Sequence, residues 1–228
     1  FSSIEGTKNC VCERKDYMKQ LRVGVIGTGF IAPVHIEGLQ RNPDLVKAVA
    51  VAGTSLDKAR QVAGRYGLEK AYASHKELLK DPDIDAVHCC SPNNLHFPMV
   101  KDILLAGKHV VCEKPLALTR EEGEELLALA REKGVHHGVH FNLRYYPLIQ
   151  NLKRKIDSGH LGSLVSIHGG FLQDWLLYQH DYNWRLESSR AGGTRVVGDL
   201  ASHWFDMGEY LTGRKILKVL ADFTVLHP

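Results

Sequence analysis

A short apolar run, Leu21-Arg22-Val23-Gly24-Val25-Ile26, passes without interruption into Gly27-Thr28-Gly29-Phe30-Ile31-Ala32. Helical spacing then carries Ile31, Val34, His35, Gly38 and Leu39 to a stop at Asn42-Pro43. Two glycines at this spacing, held between a strand and a helix, restrict the fold more than any other feature of the chain. Gly27 permits a tight turn, Gly29 lets the backbone approach a pyrophosphate, and Ala32 allows the helix to pack closely on the strand. The helix N-terminus adds partial positive charge at the same place. The turn therefore predicts the opening of a nucleotide-binding sheet, with Gly27, Thr28, Gly29, Phe30 and Ile31 against the cofactor.

The pattern that follows agrees. Apolar runs at 45–52, 71–72, 85–90, 109–112 and 135–141 alternate with helical stretches at 56–66, 96–106 and 119–133. Ser74 with Glu77, and Thr119 with Glu122, have the capping-box spacing. Strands alternating with helices at this interval predict a parallel, doubly wound α/β Rossmann sheet over residues 19–141. After residue 142 the rhythm changes. A helix at 146–158, an alternating strand at 164–172, an aromatic-rich irregular stretch at 173–195, a helix at 197–211 and a strand at 216–225 predict an α+β domain. Its sheet, expected to be open and predominantly antiparallel, is incomplete: two strands alone are barely stable. Residues 1–18 read as an N-terminal extension with Met18 as a natural start, 142–228 as a partial substrate and oligomerisation domain, and the whole as a longer protein cut short.

Composition excludes some partners. At 228 residues, 44% hydrophobic and 24% charged, the chain can bury a sizeable core. A net charge of +3, from 29 Lys and Arg against 26 Asp and Glu, is too small and scattered for a nucleic-acid surface. No apolar run approaches a membrane span. The five cysteines, Cys10, Cys12, Cys89, Cys90 and Cys112, show no disulfide framework, which points to a reducing, cytoplasmic setting. Cys10-Val11-Cys12 lacks a matching second pair and is read as incidental, so no metal is expected.

Sheets that prefer NAD place an acid at the end of the second strand, for the ribose diol. Here that end reads Ala52-Gly53-Thr54-Ser55. Thr54, Ser55, Lys58 and Arg60 are candidates to surround a 2′-phosphate, so NADP is preferred over NAD; the alternative is that Lys58 and Arg60 are ordinary exposed helix residues.

Ligands of open parallel sheets sit beyond the carboxyl ends of the strands. Those ends carry Ser91-Pro92-Asn93-Asn94-Leu95-His96 and Glu113-Lys114-Pro115. With the glycine turn, Arg144-Tyr145-Tyr146-Pro147 and the run from Gly192-Gly193 to Gly198-Asp199-Leu200-Ala201-Ser202-His203-Trp204-Phe205-Asp206, the chain resembles the glucose–fructose oxidoreductase / inositol dehydrogenase (Gfo/Idh/MocA) family over residues 19–226. The resemblance implies an NAD(P)-dependent oxidoreductase with Lys114, Asp199 and His203 at the reacting centre. It also implies that Ser91, Asn93, His96 and Glu113 face the cofactor, and that the protein forms a homo-dimer or homo-tetramer.

The residue chemistry is compatible. His203 titrates near neutrality and suits a general base or acid. Lys114 would supply a cation where alkoxide charge develops. Asp199, four residues before His203, would hold a substrate hydroxyl or orient the imidazole. Simpler readings stay open: Asp199 as a helix cap, His203 as a structural histidine, and Glu113 paired with a lysine. Between Gln173 and Arg185, aromatics interleave with Asp, Asn and Arg, a mixture suited to a polyhydroxylated ring. Arg144, Tyr145, Trp175, Asp181, Trp184 and Arg185 are the candidate substrate contacts, with tryptophans packed under a loop or in an oligomer contact as the alternative. The expected substrate is a sugar, cyclitol or related polyol; a catalytically inactive nucleotide-binding regulator of the same fold is the alternative.

Overall fold

The protein is described by a computed structural model covering residues 19–224. The expected extension, Met18, Cys10 and Cys12 lie outside the described residues. Six strands, β1 Leu21–Ile26, β2 Val46–Ala52, β3 Lys70–Tyr72, β4 Ala86–Cys89, β5 His109–Cys112 and β6 His137–Val139, make one sheet in the order β3-β2-β1-β4-β5-β6. Every pairing is parallel. The order reverses between β1 and β4, which opens a crevice at their carboxyl ends.

Helices cover both faces, as a parallel sheet requires. On one side α1 (Ala32–Gln40) and α2 (Leu56–Tyr66) pack Ala32, Ile36, Leu39, Ala59 and Ala63 against Val23, Val25 and Val51. On the other, α3 (His75–Leu79), α4 (His96–Leu105) and α5 (Arg120–Lys133) pack Leu78, Val100, Ile103, Leu104, Leu126 and Ala130 against Val49, Val87 and Val110. A fully buried side chain such as Ile36 or Ile103 contributes about 1.5–3 kcal/mol relative to exposure. In α1 the buried stripe is Ala32, His35, Ile36 and Leu39, which leaves Val34 on the outside and turns a histidine inward.

The ends of these helices follow local chemistry. Ser74 and Thr119 accept bonds from the backbone N–H of Glu77 and Glu122, at 3.3 and 3.2 Å. The two glutamates in turn accept from the backbone N–H of Ala73 and Leu118, at 3.2 and 3.0 Å. Each such cap is worth about 1 kcal/mol.

Beyond β6 the structure is helical and extended. Helix α6 (Pro147–Asp157) packs on α8 (Ser202–Thr212), and the short α7 (Ser188–Ala191) lies against the Asn93–Leu95 turn. The helix expected over 197–211 opens instead as a π turn, Val197–Ala201, before α8 begins. The strands expected at 164–172 and 216–225 are not formed among the described residues, and Val225 lies outside them. The physical reason is pairing: a strand persists only where a neighbour accepts its ladder bonds, and neither segment has one here. The first segment instead lies across α8, with Gly169 so close to the Trp204 ring that a Cβ there would fall 2.2 Å from it. The C-terminal domain is thus only partly present.

Candidate active site

The glycine turn joins β1 to α1 at the crevice. Gly27 has φ +121°, and its N–H donates to the Ala52 carbonyl at 2.8 Å. A Cβ at Gly27 would stand 2.6 Å from the Cys90 carbonyl oxygen, so only glycine fits between β1 and β4. A Cβ at Gly29 would meet nothing within 4 Å, leaving bare backbone facing the crevice. No side chain caps the N-terminus of α1, and its first turn holds no acid. This cradle fits a dinucleotide pyrophosphate. Thr28 and Ile31 are half-buried at its edge, whereas the Phe30 side chain is 89% exposed.

At the end of β2 no carboxylate takes the diol-binding place. Thr54, Ser55, Lys58 and Arg60 are exposed there, and the Ser55 hydroxyl already accepts the Lys58 N–H at 3.4 Å as the cap of α2.

Lys114 closes β5 and reaches into the second region of the chain. Its Nζ donates to Asp199 Oδ1 at 2.8 Å and to the Asp199 carbonyl at 2.7 Å. Arg185 Nε donates to the same Oδ1 at 3.2 Å. Among the described residues, Asp199 Oδ2 is buried without a partner, and so is His203 Nδ1. The site therefore presents two unsatisfied polar atoms beside a lysine with one donor still free. Burial opposes the charge on Asp199, but Lys114 and then Arg185 more than offset it and hold the carboxyl below its usual range. His203 is pushed below its ordinary value, first by burial and then by the Lys114 charge. Its ring is stacked on Phe171 at 6.0 Å and meets the edge of Phe141 at 5.8 Å. The Asp199 carboxylate makes ion pairs here and caps no helix.

Several expected contacts are drawn elsewhere. His96 is 1% exposed, with its ring nitrogens 2.6 and 2.8 Å from the carbonyl oxygens of Pro115 and Ser91. With both nitrogens taken, it ties two site loops together and has no polar atom left for a cofactor. Asn93 donates to the Ala191 carbonyl at 3.0 Å, linking the β4 loop to α7, and the Ser91 hydroxyl sits 3.3 Å from Cys89 Sγ. Arg144 forms a two-pronged pair with Asp206, its Nε at 2.6 Å from Oδ2, so its guanidinium is committed to α8 rather than to a ligand. Arg185 stands over the rings of Trp184 and Trp175, at 4.7 and 5.6 Å, and so braces Asp199. Asp181 accepts the Tyr178 N–H at 3.0 Å and shapes its own loop. Tyr145 is 76% exposed.

Glu113 is the largest departure. Its Oε1 accepts from His35 Nε2 at 2.8 Å and His140 Nδ1 at 2.6 Å, and its Oε2 accepts the Lys114 N–H at 3.3 Å. His88 Nδ1 lies 2.8 Å from His35 Nδ1, and burial with two neighbouring imidazoles pushes His88 down to about 3. Burial opposes the charge of Glu113 as well, but the two imidazoles overcome it and hold the carboxyl far below its usual range. Sequence reasoning missed His35, His88 and His140. The one available signal was a histidine, His35, on the same helical face as Ala32, Ile36 and Leu39.

Comparison with known proteins places this geometry. Residues 21–141 match the family profile described as oxidoreductase family, NAD-binding Rossmann fold. Residues 149–228 match that of the GFO/IDH/MocA C-terminal domain. The levoglucosan dehydrogenase of Pseudarthrobacter phenanthrenivorans is 35% identical over 206 residues, taking in 86% of this chain and 52% of its own. The myo-inositol 2-dehydrogenase of Thermotoga maritima is 31% identical over 206 residues, with 90% and 59% covered. The solved structure of levoglucosan dehydrogenase in complex with NADH and levoglucosan superposes with a TM-score of 0.81 at 34% identity, over 86% of this chain and 54% of that one. The chain spans about half the length of the curated relatives it matches.

Proposed function

The chain belongs to the Gfo/Idh/MocA family of oxidoreductases, and from that we propose that the complete protein is an NAD(P)-dependent dehydrogenase or reductase of a sugar, cyclitol or related polyol. The reaction interconverts a secondary alcohol and a ketone. The observation that carries this reading is the trio of Lys114 held on Asp199, with the Asp199 Oδ2 and His203 Nδ1 atoms both buried and, among the described residues, unpartnered. Two orphaned polar atoms in one buried place are costly unless a ligand satisfies them.

Gly27, Thr28, Gly29 and Ile31 would hold the dinucleotide, which supplies the hydride acceptor or donor. The protein's own groups handle the oxygen. His203 takes the carbinol proton at a ring nitrogen. The third Nζ donor of Lys114 stabilises the oxygen as charge grows on it. Asp199 Oδ2 accepts a neighbouring hydroxyl and so orients the ring, while Trp175 and Trp184 brace Arg185 behind it. Buried free thiols at Cys89, Cys90 and Cys112 are in keeping with a reducing, cytoplasmic setting, and association as a dimer or tetramer belongs to the same proposal.

A substrate screen of the complete protein, with NAD and NADP supplied separately, tests this reading. Turnover of polyols supports it; dinucleotide binding without turnover of any polyol would sink it in favour of a regulator. The bare end of β2 supports acceptance of a 2′-phosphate by Thr54, Ser55 and Lys58. A higher kcat/KM with NADP is expected. Lys58→Ala should lower that value roughly five- to tenfold, about the worth of one exposed charge–phosphate contact, and leave NAD unaffected. A clear NAD preference overturns this part.

The pH profile has a defined sign. A base must be neutral to act, and the His203 value lies below that of a free imidazole. In the oxidative direction kcat/KM should hold level through pH 7 and fall only below ~6.5, the ordinary imidazole value. An acid limb centred above that value would contradict the assignment.

A further inference from the structure

The cluster beneath Lys114 has no part in the chemistry just described. His35 comes from α1, and Glu113 and His140 are the residues just past β5 and β6. All three are thus fixed to the sheet or to a helix packed on it. Both imidazoles converge on a single carboxylate oxygen, Oε1, with their nitrogens at 2.8 and 2.6 Å from it. The two rings lie 4.3 Å apart between centroids, and the three ligand atoms are all within 4.8 Å of one another. The side chain of His35 is 1% exposed and that of Glu113 12%, while His140 at 28% leaves an entrance.

We propose that His35, Glu113 and His140 bind one divalent transition-metal cation of the zinc class. Two imidazoles and one carboxylate from three rigid elements form a familiar donor set for such ions, with a further position left open. Bonds of about 2.0–2.2 Å would set neighbouring ligand atoms roughly 3.3 Å apart. The present contacts therefore have to open by roughly half an ångström each, and the part-exposed His140 is the side chain free to give.

The third histidine of the cluster, His88, fits the role that such sites reserve for an outer partner. A ligating imidazole commonly donates its second N–H to a fixed acceptor. With the cation on Nε2, His35 carries its proton on Nδ1 and donates it to His88 Nδ1, 2.8 Å away. His88 then carries its proton on Nε2, and so does His140, bound through Nδ1. In that arrangement each ring holds a single proton, and one divalent charge meets one carboxylate.

Zinc titration of the metal-stripped full chain, followed by calorimetry and by metal content after gel filtration, tests the site. One equivalent of Zn2+ is expected. Cobalt substitution should give visible d–d bands without a sulfur charge-transfer band. His140→Ala and the isosteric Glu113→Gln should each weaken binding roughly 100-fold or more. The second variant keeps the volume of a buried group should the first disturb folding, and circular dichroism reports the fold of both. A Cys10→Ser/Cys12→Ser double variant should bind as the parent does. Failure of the parent to bind zinc, equal binding by both site variants, or a sulfur-to-cobalt band would each overturn the proposal. None of these readouts depends on turnover, so its failure is distinct from failure of the proposed activity.

Discussion

Replacing Lys114 with alanine is expected to lower kcat/KM of the complete protein about 10³-fold, the scale of losing one pre-set charged donor at a developing oxyanion. The ground-state alcohol is neutral and gains little from the cation, so the loss should fall mainly on kcat. Two further consequences follow from the contacts of Lys114. Arg185 remains on Asp199 Oδ1 at 3.2 Å, so the carboxylate keeps a counter-ion and the variant should fold. The positive charge is also one of the causes holding His203 down, second only to burial. Its removal should therefore move the acid limb of the pH profile upward. Steady-state kinetics across pH 5–9 reads both effects. A variant of undiminished kcat, or one whose limb moves downward, would show that Lys114 does not act at the reacting oxygen.

Much of the fold could be read from residue order. The buried run Ala48–Ala52 announces a strand covered on both faces, and Ser74–Glu77 and Thr119–Glu122 mark helix starts that the structure realises bond for bond. These signals are local, since a cap acts within four residues and a parallel strand is apolar whatever its neighbour. The missing strands at 164–172 and 216–225 show the converse. Alternation states which faces a segment offers, but pairing depends on a partner elsewhere in the chain. The π turn at Val197–Ala201 is invisible for a related reason: a widened turn has no residue signature, and the contact it carries, Lys114 on Asp199, spans 85 positions.

The same division runs through the site. Lys114, Asp199 and His203 were legible through ordered motifs, and the structure brings Lys114 and Asp199 into contact. Arg144, Arg185 and Glu113 were legible as polar groups near a ligand edge, but not in their commitments. Arg144 finds Asp206 62 residues away, and Glu113 finds His35 at 78. Residue type alone cannot tell a charge that meets a substrate from one that braces its neighbour. Arg185 illustrates the point: it lies at the site and acts on Asp199 through its position between two tryptophans.

Gly27→Ala should be the most destabilising single change near the crevice, and comparison with Gly29→Ala separates folding from binding. Gly27 has φ +121°, a conformation that costs any L-residue heavily, and its new Cβ would stand 2.6 Å from the Cys90 carbonyl oxygen. Neither partner can retreat. The Cys90 N–H donates to Ile26 at 2.8 Å and the Gly27 N–H to Ala52 at 2.8 Å, so the alanine would have to part β4 from β1 in the middle of the sheet. The expected loss is about 3 kcal/mol, which for a chain of this size lowers Tm by roughly 6–12 °C. Gly29 has open space around it and no positive φ, so its alanine variant should stay within about 0.5 kcal/mol of the parent. Yet its Cβ would enter the bare backbone face where the pyrophosphate is proposed to lie, and dinucleotide affinity should fall at least roughly tenfold, the effect of about 1.4 kcal/mol. Thermal unfolding and quenching of protein fluorescence by the dinucleotide measure the two quantities separately. Equal stability of the two variants would refute the steric account of Gly27, and undiminished affinity in Gly29→Ala would remove the cofactor from this turn.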